Sequence, residues 1–129
     1  MITTYKDLQV WEKADQLAHK VFDLTDQFPK EYLYDLTNQL RRAALSVPTN
    51  IVEGCASLHT KEFIQFLNIS RRSLYETRYL LDFAFRRGLI KSQVAEDLTV
   101  ILDETGKMTN ALIRALRLKS KHQTLNTKH

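Results

Sequence analysis

Apolar residues recur every three or four positions along four stretches of the chain, which is the spacing of one buried face on an α-helix. Three of these stretches end near a proline or a glycine, and the fourth gives way to polar, basic residues. The pattern predicts four helices, over residues 7–28, 33–56, 60–87 and 92–118. Because the joins are short, we expect an all-α, antiparallel up-down-up-down four-helix bundle in one domain, residues 1–118. The basic residues 119–129 are expected to form a flexible tail.

Helix-capping residues support these boundaries. Thr4 and Asp7 have the spacing of a capping box before the first helix, and Thr60 and Ser92 are candidate N-caps for the third and fourth. Gly88 can adopt the left-handed conformation that ends a helix. The predicted helix boundaries are therefore supported by local capping chemistry.

The apolar spacing also predicts which side chains face the core. On the second helix these include Leu33, Leu36, Leu40, Ala43 and Val47. On the fourth helix the spacing alternates between four and three: Val94, Leu98, Ile101, Thr105, Met108, Leu112 and Ala115. The third helix has further apolar residues beside its core face: Phe66, Ile69, Leu80 and Phe83. These extra residues belong either to a broad core stripe or to a surface that meets another subunit.

A proline interrupts the second predicted helix. Pro48 has no N–H, so the carbonyl of Ala44 loses its helical donor and we expect a kink. Asn50 can compensate for the lost hydrogen bonding, whereas Glu53 is expected to pair across helices. We therefore assign Pro48, Asn50 and Glu53 a structural role in the kink.

The composition is that of one ordinary globular domain, with 129 residues of which 43% are apolar and 26% charged. No run approaches the roughly 20 apolar residues of a membrane span, so we expect no membrane partner. The single cysteine, Cys55, cannot form an internal disulfide, which favours the reducing cytoplasm. The net charge of +4 is uneven, because residues 105–129 hold six basic and no acidic side chains. Such a segment attracts nucleic acid or an acidic protein surface, or serves only to keep the protein in solution.

The sequence contains no recognisable catalytic or metal-binding motif. A di-metal bundle needs glutamate and histidine on its inward faces, and the predicted core faces carry neither. Cys55 has only His59 nearby and no nucleophile motif, and no glycine-rich phosphate loop occurs. We expect a protein that is not an enzyme and that uses no metal or cofactor.

Basic side chains provide the best candidate for a binding surface. In an up-down bundle the start of the third helix lies beside the end of the fourth. This arrangement brings together six cations in a candidate nucleic-acid-binding region: Arg71, Arg72, Arg114, Arg117, Lys119 and Lys121. Tyr75 and Tyr79 share one stripe of the third helix, where they can stack on unpaired bases or contact another subunit. Arg86 and Arg87, at the opposite end, are expected to be neutralised by acidic residues of the fourth helix.

Three blocks of the sequence resemble the four helix bundle protein family, also called 23S rRNA intervening-sequence proteins. The blocks are residues 5–14, 36–54 and 63–76, and with the helix spacing the resemblance covers residues 5–116. The second block, which reads LTNQLRRAALSVPTNIVEG and contains the proline, is highly specific.

The resemblance implies bundles that assemble into ring-like homopentamers, some of them encoded within intervening sequences of large-subunit ribosomal RNA genes. The family is also similar to accessory variability proteins of diversity-generating retroelements, which bind a reverse transcriptase and nucleic acid. No catalytic activity is implied. This chain departs from the family pattern at Arg72, which replaces a glycine, and over residues 55–59, which lack the usual arginine. An anion contact in that second segment therefore does not carry over.

These observations lead us to expect a cytoplasmic, oligomeric protein that binds nucleic acid, RNA in preference to DNA. One alternative is an accessory protein of a diversity-generating retroelement, with a reverse transcriptase as partner. A second alternative is a structural ring or adaptor that makes no nucleic-acid contact.

Overall fold

The computed structural model describes residues 4–127, and helices make up most of that range. The four long ones are α1 (Gln9–Thr25), α2 (Asn38–Cys55), α3 (Thr60–Arg86) and α4 (Ser92–Thr127). Short helical turns precede α1 and α2: the 3₁₀ turns Tyr5–Asp7 and Lys30–Tyr32, and the π-turn Leu33–Thr37. Within residues 4–127 there is no β-strand, which confirms the all-α prediction.

The start of the chain has the predicted capping box. The backbone N–H of Thr4 donates to the Asp7 carboxylate over 3.2 Å, and the Thr4 hydroxyl accepts from the N–H of Lys6 over 3.4 Å. This box caps the first 3₁₀ turn, and α1 begins only at Gln9 because Leu8 is extended. At its other end α1 stops at Thr25, before the predicted limit of residue 28.

The π-turn changes which residues enter the core at the start of α2. Leu36 and Thr37 are buried, but Leu33 is 42% exposed, so its predicted place in the core is wrong. A π-turn uses an i→i+5 pattern, which shifts the helical register and turns Leu33 outward. Beyond it, α2 continues through Pro48 as one α-helix.

Helix α3 begins and ends in recognisable backbone geometry. Its N-cap is the extended residue His59, with no side-chain hydrogen bond, and Thr60 is the first helical residue rather than the predicted cap. At the other end Gly88 has a φ of 79°, as predicted. The N–H groups of Gly88 and Leu89 donate to the carbonyls of Phe85 and Ala84 over 2.9 and 3.0 Å, which closes the helix.

Helix α4 continues to Thr127, past the predicted end at Leu118. The apolar spacing fades after Leu118, but residues 119–127 contain no proline or glycine, so nothing in the backbone forces the helix to stop. Residues 119–127, the greater part of the predicted tail, are therefore helical. The remaining two residues lie outside the described range.

The core face of α4 also departs from the prediction. Its buried residues are Leu98, Ile101, Leu102, Thr105, Thr109, Ile113 and Leu116. Val94 and Ala115 are exposed, and Met108 and Leu112 are only half-buried. The predicted alternation of four and three gives 3.5 residues a turn, whereas a straight α-helix has about 3.6. The buried face therefore drifts by one position over the length of α4.

The helices enclose a core of aliphatic side chains. It includes Leu17, Val21, Leu40, Ile51, Leu67, Leu74, Leu98, Leu102 and Ile113. Gly54 allows the end of α2 to approach α3, because a Cβ at that position would lie 2.7 Å from Cδ1 of Phe63. No helix of residues 4–127 is both long and apolar enough to span a membrane.

Two helix pairs run in opposite directions, as their cross-helix contacts show. Between α2 and α3, Gln39 hydrogen-bonds Glu76 at one end, and Gly54 lies against Phe63 at the other. Between α3 and α4, the guanidinium of Arg78 lies 2.8 Å from the carboxylate of Asp103. One turn further along, a Cβ on Gly106 would lie 3.6 Å from Leu74. The start of α3 therefore lies beside the later part of α4.

Candidate nucleic-acid interface

The six predicted nucleic-acid-binding cations are all exposed, on the outer surfaces of α3 and α4. Within the described residues no carboxylate forms an ion pair with any of them. By contrast, Arg78 pairs with Asp103 and Arg86 with Asp82, the latter over 2.9 Å. The six cations therefore keep their charge available to a ligand.

These cations are spread along the molecule rather than gathered at one point. The α3–α4 contacts at Leu74 and Arg78 place Arg114 about five residues, roughly 7 Å, beyond the level of Arg71. Lys121 lies roughly 18 Å beyond that level by the same reasoning. A row of this length suits an extended polyanion better than a single small anion.

Three of the α4 cations share one face of the helix. Arg114, Arg117 and Lys121 are separated by three and four residues, so their side chains lie above one another. Lys119 lies on a different side of the same helix. The α4 cations thus face more than one direction.

The arginines at the opposite end of α3 do not have the predicted partners. Arg86 pairs with Asp82 on its own helix, and Arg87 donates a hydrogen bond to the Tyr32 hydroxyl over 3.3 Å. That hydrogen bond raises the pKa of Arg87 above its ordinary value. The prediction that acidic residues of the fourth helix neutralise them is therefore wrong, because their partners lie on α3 and on the α1–α2 connection.

Tyr75 and Tyr79 are both more than half exposed on α3. The guanidinium of Arg71 lies 5.7 Å from the centre of the Tyr75 ring, a cation–π contact. The Tyr79 and Phe83 rings have centroids 6.4 Å apart. An aromatic strip therefore borders the basic row, and it suits either base stacking or a protein contact.

Two open grooves flank this strip. One of about 790 Å³ lies between α3 and α4 and includes both tyrosines. The other, of about 660 Å³, lies between α3 and the start of α2 and adds Tyr32 and Tyr34. Tyr34 is 90% exposed, and the sequence patterns assigned it no role. In the sequence, only the proximity of Tyr34 to the helix-breaking Pro29 could have indicated that its side chain is exposed.

The residues around Pro48 form a polar connection between α2 and α3. The Asn50 amide donates to the carbonyl and the hydroxyl oxygen of Ser46, over 2.8 and 2.9 Å. The Ser46 hydroxyl lies 2.8 Å from the hydroxyl of Ser73 on α3. The Ser70 hydroxyl donates to the carbonyl of Val47 over 2.8 Å. This segment therefore ties two helices together at the position of the proline.

Glu53 takes no visible part in that connection. Its side chain is exposed, and none of the described residues forms an ion pair with it. Its backbone carbonyl accepts a hydrogen bond from Ser57 over 3.2 Å.

The groups considered for chemistry are scattered. Among the described residues no three histidine, cysteine or acidic side chains lie close enough to hold a metal ion. Cys55 is half-buried, and burial raises the pKa of its thiol, which disfavours the nucleophilic thiolate.

Four helices around one aliphatic core, with basic residues on the surface of two of them, define a helical-bundle protein. The sequence model of the family described as 23S rRNA-intervening sequence protein matches residues 6–111, and the chain belongs to that family. The resemblance seen in the sequence is thereby confirmed.

A solved structure has the same fold. It is the crystal structure of a protein of unknown function from the S23 ribosomal protein family of Bacteroides thetaiotaomicron VPI-5482. The two chains are 24% identical and superpose with a TM-score of 0.76, over 81% of this chain and 95% of that one. No curated protein matches the sequence.

Proposed function

We propose that the protein is a non-enzymatic, cytoplasmic, oligomeric protein that binds nucleic acid. The observation that carries the proposal is the row of exposed cations, none paired with an acid among the described residues. Phosphate contacts by such side chains release counterions, which is a large source of affinity for a polyanion. The family description names an intervening sequence of 23S rRNA, which favours RNA over DNA.

The proposed assembly is a ring-like homopentamer of up-down-up-down bundles. Exposed apolar side chains support an interface between subunits, since large apolar residues at the surface often mark contacts: Leu45, Tyr79, Phe83 and Val100. A ring would repeat the basic row around its axis and so increase its avidity for a long polyanion.

Salt dependence of RNA binding tests the proposal. The logarithm of the affinity is expected to fall steeply and linearly with the logarithm of the salt concentration. Replacing Arg117, Lys119 and Lys121 by glutamine is expected to reduce that slope by about 2, at about 0.7 for each lost contact to a single strand. Fluorescence anisotropy with a labelled single-stranded RNA measures both quantities.

A matched triple variant provides the control. Lys6, Lys20 and Lys91 are exposed lysines outside the basic row, and their replacement by glutamine removes the same charge. The row model expects this variant to keep the wild-type slope. A flat salt profile for the wild type, or equal losses in both variants, contradicts the model and favours a structural ring or adaptor.

The aromatic strip favours a second candidate, the accessory protein of a diversity-generating retroelement. Exposed tyrosines such as Tyr75 and Tyr79 are typical of protein interfaces, and the partner would be a reverse transcriptase. Replacing both by alanine is then expected to abolish capture of the reverse transcriptase while RNA affinity is kept. The neighbouring genes separate the two candidates, because one predicts a ribosomal RNA operon and the other a reverse transcriptase gene.

A further inference from the structure

The connection between α1 and α2 forms a small pocket of about 210 Å³ that is partly open to solvent and is lined by Arg41, Lys30, Thr37 and Asp26 among others. This volume is several times the share of one water, about 30 Å³, yet below the range of about 300–1,000 Å³ typical of pockets for drug-sized ligands. A ligand of a few heavy atoms fits it. The lining carries two cations and one acid.

Arg41 is held in place with donors to spare. Its side chain is 25% exposed. Its Nε donates to the Thr25 hydroxyl and one terminal nitrogen to Asp26, each over 2.7 Å, while the guanidinium lies 5.2 Å from the Phe22 ring centre. A guanidinium has five N–H donors, and these bonds use two of them. The others remain for a further acceptor.

Thr37, at the wall of the cavity, is the exception among the buried polar side chains of the described residues. Five of the six donate to a backbone carbonyl: Thr25, Ser70, Thr77, Thr105 and Thr109. Thr37 is 3% exposed, and its hydroxyl has no partner there. It is the last residue of the π-turn, where the i→i+5 pattern disturbs the usual bond to the carbonyl four residues earlier. An unpaired buried hydroxyl is costly, and a ligand oxygen in the adjoining cavity would supply the missing partner once the Thr37 side chain rotates toward it.

We propose that this cavity binds a phosphate group, held by Arg41 and Lys30 and, after rotation of its side chain, by the Thr37 hydroxyl. Asp26 occupies one edge of Arg41 in the free protein, but its side chain is 72% exposed, so the ion pair is weak and open to exchange. The phosphate takes the place of that carboxylate on the guanidinium. The proposal is independent of the nucleic-acid proposal, because none of these residues belongs to the basic row.

Titration calorimetry with inorganic phosphate, at constant ionic strength maintained with chloride, tests the assignment. Wild-type protein is expected to bind with a saturable isotherm. Lys30→Gln and Thr37→Val are each expected to weaken binding by about tenfold, since hydrogen bonds to charged groups are the stronger kind. Asp26→Asn is expected to strengthen binding several-fold, because it removes the competing carboxylate.

Thr37→Val distinguishes a ligand-binding hydroxyl from a purely structural one. It removes an unpaired buried group at nearly constant shape, so its urea midpoint without phosphate is expected to rise while its phosphate affinity falls. Lys20→Gln, an exposed lysine elsewhere, is the control and keeps wild-type affinity.

Two results overturn the proposal: no saturable phosphate binding by the folded wild-type protein, or binding that Lys30→Gln and Thr37→Val leave unchanged. A competition experiment shows whether the ligand is free phosphate or the phosphorylated end of a nucleic acid. Displacement of bound phosphate by a short 5′-phosphorylated oligonucleotide, but not by its unphosphorylated form, supports a nucleic-acid end as ligand. Failure of both oligonucleotides to compete supports the free ion.

Discussion

At the scale of single residues, the Asn50 side chain provides hydrogen bonds that link α2 to α3 through Ser46. Its amide binds two oxygens of Ser46, and Ser46 in turn contacts Ser73 on the neighbouring helix. Polar chains of this kind are stronger as a unit than their separate bonds, because each bond orients the next. Asn50 therefore stabilises both the proline-containing helix and its contact with α3.

Asn50→Leu is expected to lower the free energy of unfolding by about 1–3 kcal/mol, because the half-buried oxygens of Ser46 lose a donor. Urea unfolding measures the change, and RNA affinity of the folded variant is expected to stay near that of the wild type. Thr49→Val is the matched control: it removes an exposed bond of 2.8 Å to the Leu45 carbonyl, and is expected to cost far less. Unchanged stability with loss of RNA binding would contradict the structural role of Asn50.

At the scale of the helix, α4 contains a glycine that its fold does not require. Gly106 lies inside the helix without a positive φ, and an added Cβ would make an ordinary contact of 3.6 Å with Leu74. Gly88 is the opposite case, since its φ of 79° is strained for any other L-residue although the space around it is open. Substitution of Gly106 therefore tests helix propensity, and substitution of Gly88 tests backbone strain.

Gly106→Ala is expected to raise the free energy of unfolding by about 1 kcal/mol, through helix propensity and a less flexible unfolded chain. Gly88→Ala is expected to lower it by about 1 kcal/mol, because the left-handed conformation is costly with a Cβ. Parallel urea titrations compare both with the wild type. Destabilisation by Gly106→Ala would mean that α3 and α4 lack room for the added methyl group.

The helices could be predicted from the sequence because their signals are local: apolar spacing, the capping box at Thr4 and the glycine at the end of α3. The failures depend on longer-range geometry. The π-turn that exposes Leu33 shifts the helical register without a local sequence signal, and the drift of the buried face along α4 accumulates from the small difference between 3.5 and 3.6 residues a turn.

The same division applies to the candidate sites. The exposure of the basic row could be predicted, since its members lie off the apolar faces. The partner of Arg86 could not, because several acids were within reach on the sequence pattern. The unpaired hydroxyl of Thr37 could not be predicted, because it is recognised only from the three-dimensional positions of all neighbouring donors and acceptors.

At the scale of the whole molecule, the exposed aromatic residues of α3 and the cations of α4 occupy different parts of the bundle. The exposed aromatic residues lie toward the C-terminal half of α3, whereas the α4 cations lie beside its N-terminal half. A protein interface on the aromatic strip and a nucleic-acid interface on the α4 cations can therefore coexist on one subunit.

The mass in solution tests the proposed assembly. Light scattering is expected to give a species near five times the 15.1 kDa chain. Phe83→Asp is expected to lower that mass if the aromatic strip forms the subunit interface, since a charge buried in an interface is costly. Leu45→Asp, on the exposed side of α2, tests the alternative apolar surface. A clean wild-type monomer at micromolar concentration would contradict the assembly.

The length of α4 links the order of its C-terminal end to the proposed binding of RNA. It extends about seven residues, a distance of 10 Å, past the level at which α3 begins. Arg114 and Arg117 precede this projecting part and Lys121 lies within it, and like charges separated by three or four residues weaken a helix. A polyanion that neutralises them removes the repulsion, so binding and helix order reinforce each other reciprocally. If the protein binds RNA as proposed, occupancy is therefore expected to stabilise the C-terminal end of α4.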